Sequence, residues 1–372
     1  MYNRNLQTPR TEIEQLRDRY EARLEGLPGP GQQIVGVASN TVPWEVVSAA
    51  GFTPVLLSSR RAPAPLAEPY MEEGFDGRTR AVFDHLLSGD WNFLRTVVIP
   101  RTSEQEHKLF LYLSEVARQE PARKLPQVLL FNLLHTRSPE ARAYGLARTR
   151  DLLQTLGGAS DERLLQTIAE GNAARNAVRS LLKLRTDRLS GADAMTLIGA
   201  FYFMDRAEYA RLAGAAAKAI SLRRPISGPR IMIKGSILDH PHLHRAIERH
   251  GALVAAEDDW WGSRAAGNDI STEGDPIEAI FLKYYEDAPS PRVFPAALAD
   301  EWFHATVPDV HGVIFYLPPE DDVFGWDYPR QKRALNEQGI PHMMIRDDAS
   351  MGDLSPQCHD QIEDFVVRLG RE

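Results

Sequence analysis

The sequence predicts an α/β protein with two open, mostly parallel sheets and a helical segment between them. Three observations carry this reading. The chain has 372 residues, more than one ordinary core organises, so two domains are expected. Short apolar runs alternate with helical patterns both before residue 158 and after residue 226, which is the signature of βαβ units. Between about 160 and 222 no strand pattern occurs at all.

Residues 11–25 read as an amphipathic helix, with Thr11 as N-cap and Ile13, Leu16, Tyr20 and Leu24 at helical spacing. GLPGPG at 26–31 breaks it. Strands are expected at Ile34–Ala38, Pro54–Leu57, Thr96–Ile99 and Gln127–Phe131, and helices at Pro43–Ala50, Arg78–Leu87, Glu104–Arg118 and Pro139–Leu156. Ser160, Ser190 and Asp205 then read as caps that open three successive helices. Alternation resumes with strands at Arg230–Lys234, Leu253–Ala256, Gly312–Tyr316 and His342–Ile345, and helices at His240–His250, Pro276–Tyr285, Pro329–Gln338 and Pro356–Leu369. The expected organisation is a helix and linker over 1–30, a first domain over 31–158, a helical segment over 159–225 and a second domain over 226–372. Both domains are of the open Rossmann/flavodoxin-like kind.

Composition excludes several function classes. The net charge is −8, from 43 basic against 51 acidic residues, which opposes a nucleic-acid backbone, and no basic patch offsets it. No run of about 18 apolar residues occurs and the first residues have no apolar signal core, so neither a membrane span nor secretion is expected, and the cytoplasm is the default location. Cys358 is the only cysteine, so no disulfide forms within the chain and no site can draw several thiolates from it. The glycines at 26–31 precede a strand instead of following one, and no Walker loop or nucleophile elbow is present. His240, His242 and His244 read as a surface helix start rather than as metal ligands.

In open parallel sheets, ligands bind beyond the carboxyl ends of the strands. Those positions are Ser39, Asn40, Thr41, Arg101, Thr102, Ser103, Asn132 and His135 in the first domain. In the second they are Gly235 and Ser236, 257–264, 320–328 and 347–350. Gly235 and Ser236 read as a strand-to-helix turn. The acidic clusters Glu257-Asp258-Asp259, Glu320-Asp321-Asp322 and Asp347-Asp348 read as solvated loop acids. The aromatic pair Trp260-Trp261 would either line a ligand pocket or plug the seam between domains.

Several segments in order resemble the 2-hydroxyacyl-CoA dehydratase family, which includes the benzoyl-CoA reductase subunits, and in particular its smaller, D-component-like subunit. They are GVASNTVPWEVVSAAGFTPV (36–55), VVIPRTSEQEHKLFLYLSEV (97–116), Asn172 with Arg175, RIMIKGSILDHPHLHRAIERHGALVAAEDDWWGSR (230–264), GVIFYLPPEDDVFGWDYP (312–329) and GIPHMMIRDDAS (339–350). The resemblance implies a two-domain α/β subunit of a heterodimer. In that family each subunit holds a [4Fe-4S] cluster through three cysteines, an ATP-dependent activator supplies an electron, and an acyl-CoA is the substrate. Here Ser103, Trp261 and Asp321 stand at or near the cysteine positions. Serine and aspartate are poor ligands for such a cluster and tryptophan is none, so the fold is expected to carry over without the redox chemistry.

Three readings follow. The chain is a subunit without cluster ligands, contributing architecture and part of an acyl-CoA pocket beside a cysteine-complete homologue that carries the [4Fe-4S] cluster. Alternatively it is a repurposed cluster-free enzyme, or a non-catalytic ligand-binding protein. For the site, Ser103, Asp321 and Glu104 are the expected chemical groups, and Trp261, Arg264, Arg101 and Asn40 the expected binding groups; His135 and Asp258 are further polar participants in the repurposed reading. No metal is expected on this chain.

Overall fold

Two sheets of four parallel strands organise the computed structural model, which describes residues 10–59, 64–72, 74–321, 323–348 and 354–370. Asp322, Ala349 and Ser350, part of the expected loop edges, lie outside the described residues. The first sheet contains β1 (Ile34–Val37), β2 (Thr53–Leu56), β3 (Leu94–Pro100) and β4 (Gln127–Phe131) in the order β2-β1-β3-β4. The second contains β5 (Arg230–Gly235), β6 (Leu253–Glu257), β7 (Gly312–Tyr316) and β8 (His342–Ile345) in the order β6-β5-β7-β8. The strands are short; the inner ones, β1 and β3, β5 and β7, are buried almost throughout, as sheets covered by helices must be, while the edge strands β4 and β8 are only partly buried. The two sheets repeat one plan: the chain moves outward from the first strand, then returns past it. Each has a topological switch point, between β1 and β3 and between β5 and β7.

The helices α1 (Glu12–Ala22), α2 (Trp44–Ala49), α3 (Gly77–Ser88), α4 (Glu104–Gln119) and α5 (Pro139–Thr155) belong to the first half. Thr11 caps α1 in a full capping box with Glu14. The middle is α6 (Asp161–Leu184), α7 (Gly191–Gly199) and α8 (Arg206–Ser221), opened by Ser160, Ser190 and Asp205 as the sequence predicts. Helix α1 packs on α7 and α8, and α6 lies along α8. The second half carries α9 (His242–Arg249), α10 (Pro276–Glu286), α11 (Ala296–Thr306), α12 (Phe324–Glu337) and α13 (Pro356–Leu369). Among the described residues no helix is long and apolar enough to cross a membrane.

Two elements differ from the sequence reading. Helix α11 has no expected counterpart; of its residues only Phe303 and Asp300 are buried, so it lacks a clear apolar stripe. Helix α12 starts five residues before Pro329, because Asp321 accepts the Val323 and Gly325 amides and lets the first turn form ahead of the proline.

One apolar core runs from the first sheet through the helical middle to the second sheet, and a smaller one lies between β7, α11 and α12 around Phe303 and Phe315. Trp260 and Trp261 sit in the main core. Trp261 is fully buried against Tyr20, Tyr202 and Phe203, and its Nε1 donates to the Met195 carbonyl at 3.3 Å. The pair therefore plugs the seam between the halves.

Candidate functional site

The carboxyl edges of the two sheets face each other across a cleft that encloses ≈ 110 Å³. Its walls come from both halves. The first supplies Asp76, Gly77 and Arg78 at the start of α3, and Ser103 and Gln105 at the start of α4. The second supplies Ser236, Tyr316, Glu320, Asp321, Phe324 and Asp348. At this edge β5 must leave its sheet beside β7. Gly235 has φ +129°, and a Cβ there would stand 2.1 Å from the Tyr316 carbonyl oxygen, so only glycine fits.

Most of the polar groups in the cleft are committed to local structure. The Ser103 hydroxyl accepts the Glu106 amide at 3.2 Å, while the Glu106 carboxylate accepts the Ser103 and Thr102 amides at 2.9 and 3.0 Å. One Asp321 oxygen takes the Val323 amide at 2.9 Å and the Gly325 amide at 3.2 Å; the other accepts the Ser236 hydroxyl. Asp76 caps α3 through the Thr79 amide, at 2.6 Å. Arg78 is the one basic side chain among the described lining residues. It donates to the Ala38 carbonyl at 3.3 Å, lies 5.7 Å from the Trp260 ring, and forms no ion pair.

Of the residues expected from the sequence, the structure brings Ser103 and Asp321 together in this cleft. Glu104 lies beside it, paired with Arg292 at 2.5 Å. Arg101 does not line the cleft, and its Nε is buried without a hydrogen-bond partner. Asn40 acts as a clamp between the halves, donating to the Ala265 carbonyl at 3.0 Å. Arg264 pairs with Asp258 at 3.3 Å, and Lys234 holds the other oxygen of the same carboxylate. Trp261, expected to bind substrate, has no surface with which to do so. His135 is buried, with no hydrogen-bond partner on either ring nitrogen, and burial depresses it to about 4.

Two expectations need correction. The His240–His244 run is not a surface helix start: His240 and His244 are buried, and burial lowers them to about 3 and about 4. The acids at the end of β6 are not solvated. Glu257 is buried between Arg185, 2.8 Å away, and His244 Nε2; burial raises its pKa, but the Arg185 guanidinium, with His244 beside it, outweighs burial and holds it below the usual range. Asp259 is pushed up to about 8, first by burial and then by Glu257, which favours its neutral form.

The donor set does not fit a thiolate-held cluster. Cys358 lies on α13, buried, its thiol pushed up to about 11 by burial and by Asp347. A thiol so far above neutrality is a poor ligand. The three positions that resemble the cysteine sites are a helix cap, a buried indole and a second helix cap. Among the described residues no three His, Cys, Asp or Glu side chains converge as a metal site.

The sequence model of the 2-hydroxyglutaryl-CoA dehydratase D-component family matches residues 40–369, nearly the whole chain and both halves of the cleft. The chain belongs to this family. Two curated relatives are similar over their length. The (R)-phenyllactyl-CoA dehydratase beta subunit of Clostridium sporogenes is 20% identical over 344 residues, covering 88% of this chain and 90% of the relative. The beta subunit of (R)-2-hydroxyglutaryl-CoA dehydratase from Acidaminococcus fermentans is 22% identical over 369 residues, covering 91% and 93%.

Proposed function

We propose that this D-component-like chain is the cluster-free subunit of an acyl-CoA dehydratase or benzoyl-CoA reductase-like hetero-oligomer. A cysteine-complete homologue carries the [4Fe-4S] cluster and receives its electron from an ATP-dependent activator, in the cytoplasm. This chain supplies architecture and one wall of the acyl-CoA pocket. The observation that carries the reading is the state of Ser103 and Asp321. A general base needs a free lone pair, yet the Asp321 oxygens already accept two backbone amides and the Ser236 hydroxyl, and the Ser103 oxygen accepts the Glu106 amide as the cap of α4. They therefore act as wall and scaffold, which favours the architectural subunit over a repurposed cluster-free enzyme. Arg78, the basic side chain among the described lining residues, is a polar contact for ligand.

The test has two parts. Iron and acid-labile sulfide are measured on the chain purified anaerobically by itself, and the chain is then co-expressed with a cysteine-complete homologue and recovered through a tag on one partner. The expected result is no iron on the isolated chain and a stoichiometric complex with iron on the partner. About four irons per isolated chain, or no complex, would overturn the reading.

A further inference from the structure

A second, polar pocket of ≈ 170 Å³ shares no lining residue with the cleft and is formed by α2, the start of β2, α6 and the start of α8. Ser48, Thr53, Thr167 and Gly171 contribute to its walls, together with two arginines, Arg163 and Arg206. Arg206 is 8% exposed and its guanidinium is sandwiched between Phe201 at 3.7 Å and Trp44 at 4.0 Å. This stacking fixes the plane of the group but uses none of its N–H donors. Its one hydrogen bond is a long one to the Met204 carbonyl, 3.5 Å, and Nη2 is buried with no partner. Among the described residues Arg163 donates only to the Ser48 carbonyl, also at 3.5 Å, and neither arginine forms an ion pair.

Three carboxylates belong to the same pocket, and each is at least partly engaged. Glu45 is taken by Arg175 and by the Tyr284 hydroxyl at 2.8 Å. Asp205 accepts the Ala207 and Glu208 amides at 2.9 and 3.0 Å as the cap of α8. Glu170, at the rim, accepts the Gln166 amide at 2.9 Å. The donors of the two arginines thus exceed what the surrounding acceptors satisfy. A buried charged donor left without a partner costs free energy that an occupant would recover. Burial lowers Arg206 to about 10, against the opposing pull of the Glu45 carboxylate. The volume is well above the ~10–15 Å³ that admits one water, and two forked guanidiniums match a tetrahedral oxyanion.

We propose that this pocket binds a phosphate group between Arg163 and Arg206, separately from the interdomain cleft. The group would come from free phosphate or from a phosphomonoester on a nucleotide. The full chain is titrated with inorganic phosphate against chloride at equal ionic strength, following its melting temperature and the binding heat. The expected result is saturable stabilisation by phosphate that Arg163→Gln weakens about tenfold or more. Because Arg206 also supports Trp44 and Phe201, its variant is Arg206→Lys, which keeps the charge and loses the fork; it too should weaken binding while the chain remains folded by circular dichroism. A parallel titration compares coenzyme A with its 3′-dephospho form. Preference for coenzyme A assigns the site to a nucleotide phosphomonoester, and equal binding of both, with phosphate still effective, assigns it to free phosphate. Equal effects of phosphate and chloride, or wild-type phosphate binding by Arg163→Gln, would overturn the proposal.

Discussion

The two sheets share one topology, but their switch points are built from different chemistry. Between β1 and β3 the crevice is filled by neutral hydroxyls: Ser39 to Thr41 at 2.6 Å, Thr41 to Thr102 at 3.0 Å, and Thr102 to the Glu106 carboxylate. At the edge of the second sheet, charge is buried in quantity. Arg185, Glu257 and His244 form one chain, and Lys234, Asp258 and Arg264 another. The hydroxyl network closes its crevice with short side chains on adjacent loops. The ionic chains reach out: Arg185 comes from the turn after α6 in the helical middle and locks that segment onto β6. Topology therefore decides where a crevice lies, and side-chain chemistry decides whether it is closed upon itself or tied to neighbouring elements.

The largest break in this comparison should come from Glu257→Gln, which leaves the fully buried Arg185 without its counter-charge. A loss of about 3–5 kcal/mol in denaturant unfolding is expected, whereas Glu106→Gln, whose amide oxygen can still accept the same donors, should cost about 1–2 kcal/mol. Equal losses at the two sites would erase the distinction.

Next in size is the response to acid. His135, His240 and His244 are held at about 4, 3 and 4 against 6.5 for a free imidazole. Their folded values are depressed, so the unfolded chain binds protons that the native chain does not. Stability is complete above pH 6.5 and falls as pH drops from 6.5 toward about 4 for His135 and His244 and about 3 for His240. The contribution of His135 is about 3 kcal/mol at most, and His135→Leu should flatten the pH dependence by one proton. Two of these histidines are in the second domain, so hydrogen exchange at pH 5 should show β5 and β6 losing protection before β1 and β3.

The sequence showed the fold almost completely because its signals are local: apolar runs of strand length, and serine or aspartate ahead of a helix, as at Ser160, Ser190 and Asp205. It placed Ser103 and Asp321 correctly at the edges, since the end of a strand is also a local property. It did not show which polar groups are buried. The His-x-His-x-His run looks solvated in one dimension, whereas in the fold His240 and His244 are buried and His244 meets Glu257, which lies 13 residues away in sequence. Arg78, Arg185 and Arg206 escaped for the same reason, and nothing in the neighbouring residues marks an arginine whose partner is a distant ring or carbonyl.

Smaller effects sharpen the comparison within the first edge. Thr102→Val deprives Thr41 and Glu106 of a shared hydroxyl and should destabilise by about 1–2 kcal/mol in urea unfolding. Ser103→Ala removes only a helix cap, at about 1 kcal/mol. If Ser103 serves as wall rather than as a chemical group, the assembled complex carrying this variant should turn over at a rate close to wild type once its stability is matched by temperature.

Helix α1 bears on all of this from outside both sheets. Its Tyr20 hydroxyl donates to the Asp239 carbonyl at 2.7 Å, and Arg23, just past its end, holds Ser58 from the first half and Asp239 from the second. Separating the two walls means extracting a buried guanidinium from a buried carboxylate, a step with a threshold rather than a gradual give. The gap between the sheets is therefore held by a buried polar strap that ties both walls to one helix, rather than by apolar contact alone.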